Sequence, residues 1–253
     1  MNELRLAFAF LTRLPVGAPK GGARENAIAT RFFPLVGVAL ALLVFGVHTL
    51  GARLFDEPVA AILALLTWSA VTGGLHLDGL ADCVDGLAVT GTASRRLQVM
   101  HDPRIGGLGA AAVAGWMMLK AALLVDCAAE GTIVPALWTA LILARTPLGF
   151  ELAEGEPATP GHGLFAWLHP ELRRVDWVTA IVLGTALMAP LVSLGMPMVV
   201  RAGVGALLAA VSTLAWHLGW YRRVGGLTGD ILGAAVELRE VVILAAMGAH
   251  LHG

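Results

Sequence analysis

Charge is what this chain has least of. Only 14% of its 253 residues are Asp, Glu, Lys or Arg, and 57% are apolar. A soluble domain of this size carries about 25% charged residues. That scarcity excludes an ordinary soluble enzyme and a disordered chain. The charges present nearly cancel, 17 basic against 18 acidic, so there is no broadly basic surface and nucleic acid is not an expected partner. Cysteine is scarce as well. Cys83 and Cys127 stand apart from any Cys-x-x-Cys or Cys/His spacing, which excludes a disulfide framework and a zinc cluster. No internal repeat and no low-complexity tract is visible. Apolar runs are what the chain has in abundance. Its mean hydropathy is +0.78, and it reads as an integral membrane protein.

A bilayer core takes about 20 apolar residues per helix. Such stretches lie at 32–50, 58–77, 106–128, 131–150, 177–195 and 199–220, with a weaker one at 230–250. The expected fold is all-α, a polytopic membrane bundle of six to seven transmembrane helices in one domain, residues 1–253. An N-terminal interfacial helix precedes it, where Leu4, Leu6, Phe8, Phe10 and Leu11 mix with Arg5 and Arg13. A packed terminal helix explains those residues equally well. Met1–Leu14 is too short and too charged to span, and it lacks the long apolar run and small-residue cleavage site expected of a secretory signal. With seven spans, twelve Lys and Arg fall on the side of the N-terminus, including Arg31, Arg95, Arg173 and Arg222, against Arg53 and Arg201 on the other. Positive-inside counting therefore expects a cytoplasmic N-terminus.

The chemistry concentrates in Thr72-Gly-Gly-Leu-His-Leu-Asp-Gly-Leu-Ala-Asp-Cys-Val-Asp-Gly86. Asp78, Asp82 and Asp85, at i, i+4 and i+7, fall within about 60° of arc on a helix and about 10 Å of rise. Three carboxylates on one face repel unless a cation lies among them, and no Lys or Arg shares the stripe. A hard divalent cation such as Mg²⁺, which takes oxygen ligands and shares them with phosphates, is the economical expectation. Gly79 and Gly86 are expected to clear space for a close ligand. A solvated helix end and a transport-ion site are the competing readings.

A second acidic face follows much later, in Gly225-Gly-Leu-Thr-Gly-Asp-Ile-Leu-Gly-Ala-Ala-Val-Glu-Leu-Arg-Glu240. Asp230, Gly233, Glu237 and Glu240 span about 80° at 100° per residue. The lead-in with Gly226 and Thr228 suits a phosphate at a helix N-terminus, with a plain capped helix as the alternative. Asp230 and Glu237 are the expected catalytic groups. By the orientation count both acidic segments lie at cytoplasmic helix ends, which favours one two-part site. Arg95, Arg96 and Arg104 between them suit phosphate oxygens, or serve as positive-inside anchors. Arg145 and Lys120, inside spans, are functional candidates or partners in structural ion pairs. His76 falls opposite the acidic stripe, and the other histidines receive no role. The residues alone read as Mg²⁺-dependent transfer of a phosphate-containing group at the cytoplasmic face.

The run Gly73–Gly86 resembles the signature of the cobalamin synthase (adenosylcobinamide-GDP ribazoletransferase) family. So do Phe10-Leu-Thr-Arg-Leu-Pro-Val16, Arg31-Phe-Phe-Pro-Leu-Val-Gly37, Asp102-Pro-Arg-Ile-Gly106 and Gly225-Gly-Leu-Thr-Gly-Asp230 with Glu237 and Glu240. The likeness covers almost the whole chain. Departures are Cys83-Val84 for the family's Thr-Ala, Gln98 and His101 for its Glu and Lys, and Pro103 for its Ser. The resemblance implies a multi-pass bacterial inner-membrane enzyme that requires Mg²⁺. It implies that adenosylcobinamide-GDP receives α-ribazole or its 5′-phosphate and that GMP leaves. Mg²⁺ on Asp78, Asp82 and Asp85 would neutralise the diphosphate. Homo-oligomerisation stays open. The runner-up, a CDP-alcohol phosphotransferase, requires Ala-Arg soon after Asp-Gly, where Leu87-Ala88-Val89 follows Gly86 here. An ion-coupled transporter would favour internal repeats, and none is seen.

Overall fold

The computed structural model describes residues 2–17, 19–161 and 163–249. His250, the expected end of the last span, lies outside them. The chain opens with α1 (Asn2–Leu11) and α2 (Ala23–Ala29), then a 3₁₀ turn leads into α3 (Phe33–Ala52). Pro34 sits in the first turn of α3, where no backbone N–H is needed. Next come α4 (Glu57–Thr72), α5 (Leu75–Ala88), α6 (Ala93–Met100) and α7 (Gly107–Ala129). The remainder is α8 (Ile133–Arg145), α9 (Leu148–Glu154), α10 (Gly163–Leu168), α11 (Arg174–Ala186), α12 (Met196–Val224) and α13 (Gly229–Gly248). Among the described residues there are no strands, only one isolated parallel bridge between Pro157 and Leu227. The all-α membrane bundle expected from the hydropathy is what forms. Among the described residues, five helical stretches are long and apolar enough to cross a membrane, and six if α4 and α5 count as one bent span.

That bend corrects the expected second span. The apolar run continues to residue 77, but α4 stops at Thr72 and α5 leaves at 87°. Gly73 and Gly74 both take positive φ, 66° and 68°, a conformation open to glycine without strain. Their N–H groups satisfy Ala70 O and Ser69 O, closing the helix end. The acidic stripe is thereby carried on a helix that crosses the bundle rather than continuing along it.

α13 explains the weak seventh signal. It is buried along almost its whole length and packs on α5, α7, α8 and α12. A helix surrounded by protein rather than lipid can carry charge where partners exist. Glu237 and Glu240 both receive Lys120 Nζ, at 2.6 and 2.5 Å, and Glu240 also receives Arg145 at 2.9 Å. Arg239 pairs with Glu151. Lys120 Nζ also lies 4.3 Å from the Trp68 ring centroid. The outer helices show the opposite pattern. Met118 on α7, Val182 on α11 and Leu207 and Leu214 on α12 point outward, as lipid-facing side chains do. At the end of the bundle where α4 stops and α13 begins, α1, α2, α5, α6 and α10 gather. Buried Asp176 of α11 ties that end together, receiving both Arg24 and Arg31. Both cysteines are free and buried.

Candidate active site

The two acidic segments meet. α5 crosses the start of α13 so closely that a Cβ on Gly79 would stand 2.6 Å from Asp230 O and 3.0 Å from its Cα. Gly79 therefore makes room for the α13 backbone, and Gly86 for Met100, whose Cγ would be 2.7 Å from a Cβ there. The expectation that these glycines clear space for a ligand is corrected. Gly79 permits the helix crossing that brings Asp78 and Asp82 within electrostatic reach of Asp230. Gly79→Val is expected to lower stability by about 1–3 kcal/mol through overpacking. Gly115→Ala on the outer face of α7, with nothing within 4 Å, should leave it unchanged or slightly raised. Thermal unfolding of both variants in detergent checks the contrast.

No Lys or Arg pairs with Asp78, Asp82 or Asp230 among the described residues. Asp230 Oδ2 accepts only a long bond from the Thr228 hydroxyl, 3.4 Å. Thr228 also caps α13, accepting from Ile231 N. The turn before it is fixed by Leu227, whose N–H donates to Glu156 O at 2.8 Å and whose carbonyl accepts from Ala158 N at 2.9 Å. Gly226 is required there because a Cβ would meet the backbone of Glu156 and Ala158. So Gly226 serves loop packing, while Thr228 and Gly229 present the start of α13 to a cavity of about 370 Å³.

That cavity has a mixed lining. Asp78, His76, His101, Thr159, Thr228 and Asp230 supply polar groups, and the rest of its wall is mainly apolar, with Phe10, Leu11, Phe33, Leu148, Leu152, Phe165 and Leu227. His101 is the residue that the sequence reading passed over. It faces Asp230 from the loop before α7, and its place directly ahead of Asp102-Pro-Arg-Ile-Gly106 was the available signal.

Asp85 stands apart from the other two stripe acids. Its oxygens accept from Gly106 N at 2.7 Å and Gly109 N at 2.9 Å, so it caps α7, and glycine at both positions lets the carboxylate approach. Glu237, expected to be catalytic, is 3% exposed, bonds Lys120 and does not line the cavity. A carboxylate inside the bundle keeps its charge only with a cation against it, and that engagement replaces the expected proton-transfer role. Arg145 is fully buried, donating to Leu141 O and Glu240, which corrects its expected contact with phosphate. Arg96 caps the C-terminus of α5 at Gly86 O, 2.8 Å, and Arg95 bonds Gln98. Arg104 is exposed and holds Asp102 through two bonds of 2.8 and 2.9 Å. Those bonds and the Arg104 N–H hold the Asp102 carboxyl down at about 2. None of the four arginines lines the cavity.

Among the described residues, no three His, Cys, Asp or Glu side chains are gathered tightly enough to cage a metal by themselves. The donors at the crossing are carboxylate oxygens that no described Lys or Arg pairs with. That set fits Mg²⁺, which commonly keeps waters and substrate phosphates in its shell.

Comparison with known proteins matches the sequence of this chain to one family. The description of cobalamin-5-phosphate synthase matches residues 3–248. An adenosylcobinamide-GDP ribazoletransferase from Roseiflexus sp. (strain RS-1) is 35% identical over 246 residues, 95% of this chain and 87% of that protein. The one from Bradyrhizobium diazoefficiens is 35% identical, covering 98% and 93%. That from Brevibacillus brevis is 29% identical, covering 98% of each. No solved structure matches. With a family match across nearly its whole length, the chain belongs to the cobalamin-5-phosphate synthase family.

Proposed function

We propose that this protein joins adenosylcobinamide-GDP to α-ribazole or its 5′-phosphate, giving adenosylcobalamin or its 5′-phosphate and GMP. The observation that carries the reading is the crossing at Gly79. It sets Asp78 and Asp230 on the wall of a nucleoside-sized cavity, with Asp82 within electrostatic reach of Asp230, in a chain of this family. Asp78 and Asp82 would hold Mg²⁺, which supplies charge neutralisation to the diphosphate. Asp85, bound to the α7 backbone, fixes the stripe against that helix.

In this reading a ribose hydroxyl enters between Asp230 and the diphosphate. Its oxygen forms a bond to the phosphorus next to cobinamide, and the bond from that phosphorus to the GMP oxygen breaks. Asp230 accepts the hydroxyl proton, held in place by Thr228. The free N–H groups at the start of α13 face phosphate oxygens. Arg104, on the same loop as His101, is open to an incoming phosphate in exchange for Asp102, as a bidentate donor.

The competing phosphotransferase reading separates by substrate. Purified protein given α-ribazole should release GMP from adenosylcobinamide-GDP and no CMP from a CDP-alcohol. CMP release alone would overturn the assignment. The positive-inside count supports a cytoplasmic acidic end, in the bacterial inner membrane that the family resemblance implies. Topology reporters after Ser94 and after Arg223 should read cytoplasmic, and one at Gly253 periplasmic. A periplasmic signal after Ser94 would reverse the arrangement.

A further inference from the structure

The cavity has more wall than the phosphorus chemistry uses. Besides Asp78 and Asp230, its lining includes Phe10 of α1, Phe33 of α3, Leu148 and Leu152 of α9, and Phe165 of α10. Four of those five are almost wholly buried, with Phe33 1%, Leu148 5%, Leu152 4% and Phe165 5% exposed. The Phe10 and Phe33 rings lie 5.3 Å apart at 37°. At about 370 Å³ the space is near the lower limit for small-molecule sites, right for a nucleoside and far too small for a corrin macrocycle.

We propose that this apolar lining is the subsite for the base of the incoming nucleoside, a flat heteroaromatic ring with little hydrogen-bonding demand, and that it sets which nucleosides are accepted. The inference rests on the reading of the reaction given above and assigns one of its two substrates to a place. Two orientations compete for the cavity, the nucleoside base and the guanine of the leaving GMP. Guanine carries donors and acceptors around its edge, and burying them without partners is unfavourable. The aromatic and leucine wall offers none. A benzimidazole-type base buries mainly carbon and stacks favourably on Phe rings. With the base seated there, its ribose extends toward Thr228 and Asp230, where the hydroxyl must lose its proton. Guanine and corrin then lie outside the cavity, on the α6 side of the acids.

The test uses purified full-length protein in detergent with α-ribazole and adenosylcobinamide-GDP as probes. Two variants alter the wall without touching the acids. Leu152→Trp fills the cavity, and Phe10→Ala removes a ring from the short N-terminal helix, where folding of the bundle is least at stake. Binding of α-ribazole is read by its fluorescence, and both KM values by GMP release. The expected result is at least tenfold weaker α-ribazole binding in both variants. KM for α-ribazole should rise in parallel, while KM for adenosylcobinamide-GDP stays within twofold. In the parent protein an adenine riboside should bind at least tenfold more weakly than α-ribazole. A rise confined to KM for adenosylcobinamide-GDP overturns the assignment, as does unchanged α-ribazole binding in both variants. Protein whose α-ribazole binding responds as expected but which releases no GMP would keep the subsite and sink the reaction.

Discussion

Asp82→Asn is expected to lower turnover by about 10²–10³-fold, the loss typical when one preorganised electrostatic contact to a transition state is removed. Asn keeps the shape and loses the charge. Asp82 is the acid to change because it lies between Asp78 and Asp85 on α5, within reach of Asp230 across the helix crossing, and no described cation pairs with it. Its loss should also raise the Mg²⁺ concentration needed for half-maximal rate. Asp85→Asn should behave differently, because Asp85 is bonded to Gly106 and Gly109, so thermal stability should fall alongside activity. Mg²⁺ titrations of GMP release, run with melting curves for both variants, check the distinction. Near-parental turnover of Asp82→Asn at saturating Mg²⁺ would remove Asp82 from the site.

Lys120→Met should be the most destabilising single change, at about 3–5 kcal/mol, the usual consequence of removing one partner from a buried ion pair. Lys120 is 2% exposed and is the shared partner of Glu237 and Glu240. Without it two carboxylates one helical turn apart face each other inside the bundle, with Arg145 left to serve Glu240 alone. The double variant Lys120→Met/Glu237→Gln should recover part of the loss, because it removes the stranded charge. Denaturation midpoints of the two single variants and the double variant give that coupling directly. Additive losses would show that Lys120 and Glu237 do not act as a pair. Because α13 carries Asp230 at its start, the single variant should also lose activity, in proportion to the folded fraction.

The spacing of the acids was legible because i, i+4, i+7 geometry is local, and Asp78, Asp82 and Asp85 do share one helix. What the stripe faces was not legible. Gly79 is vacant for a segment of chain about 150 residues away, and nothing near it in sequence says so. The break at Gly73-Gly74 was written in two adjacent glycines, but hydropathy runs through it unbroken. Arginines were recognisable as anion binders, and each found an anion or a carbonyl. Arg104 bonded the nearby Asp102, whereas Arg145 depended on a tertiary neighbour, Glu240. The same holds for Glu237, whose partner Lys120 lies 117 residues before it. The apolar lining of the cavity was hidden most completely, because α1, α3, α9 and α10 each contribute only one to three residues to it.

The central claim is that the acidic crossing of α5 and α13 transfers a phosphorus group with Mg²⁺. Purified protein stripped of divalent ions, then given adenosylcobinamide-GDP and α-ribazole, tests it most directly. Restoring Mg²⁺ should yield GMP and a cobalamin product in equal amounts, with neither formed when Mg²⁺ or the nucleoside is left out. Equal yields of both products in the metal-free mixture, or GMP formed without the nucleoside, would contradict it.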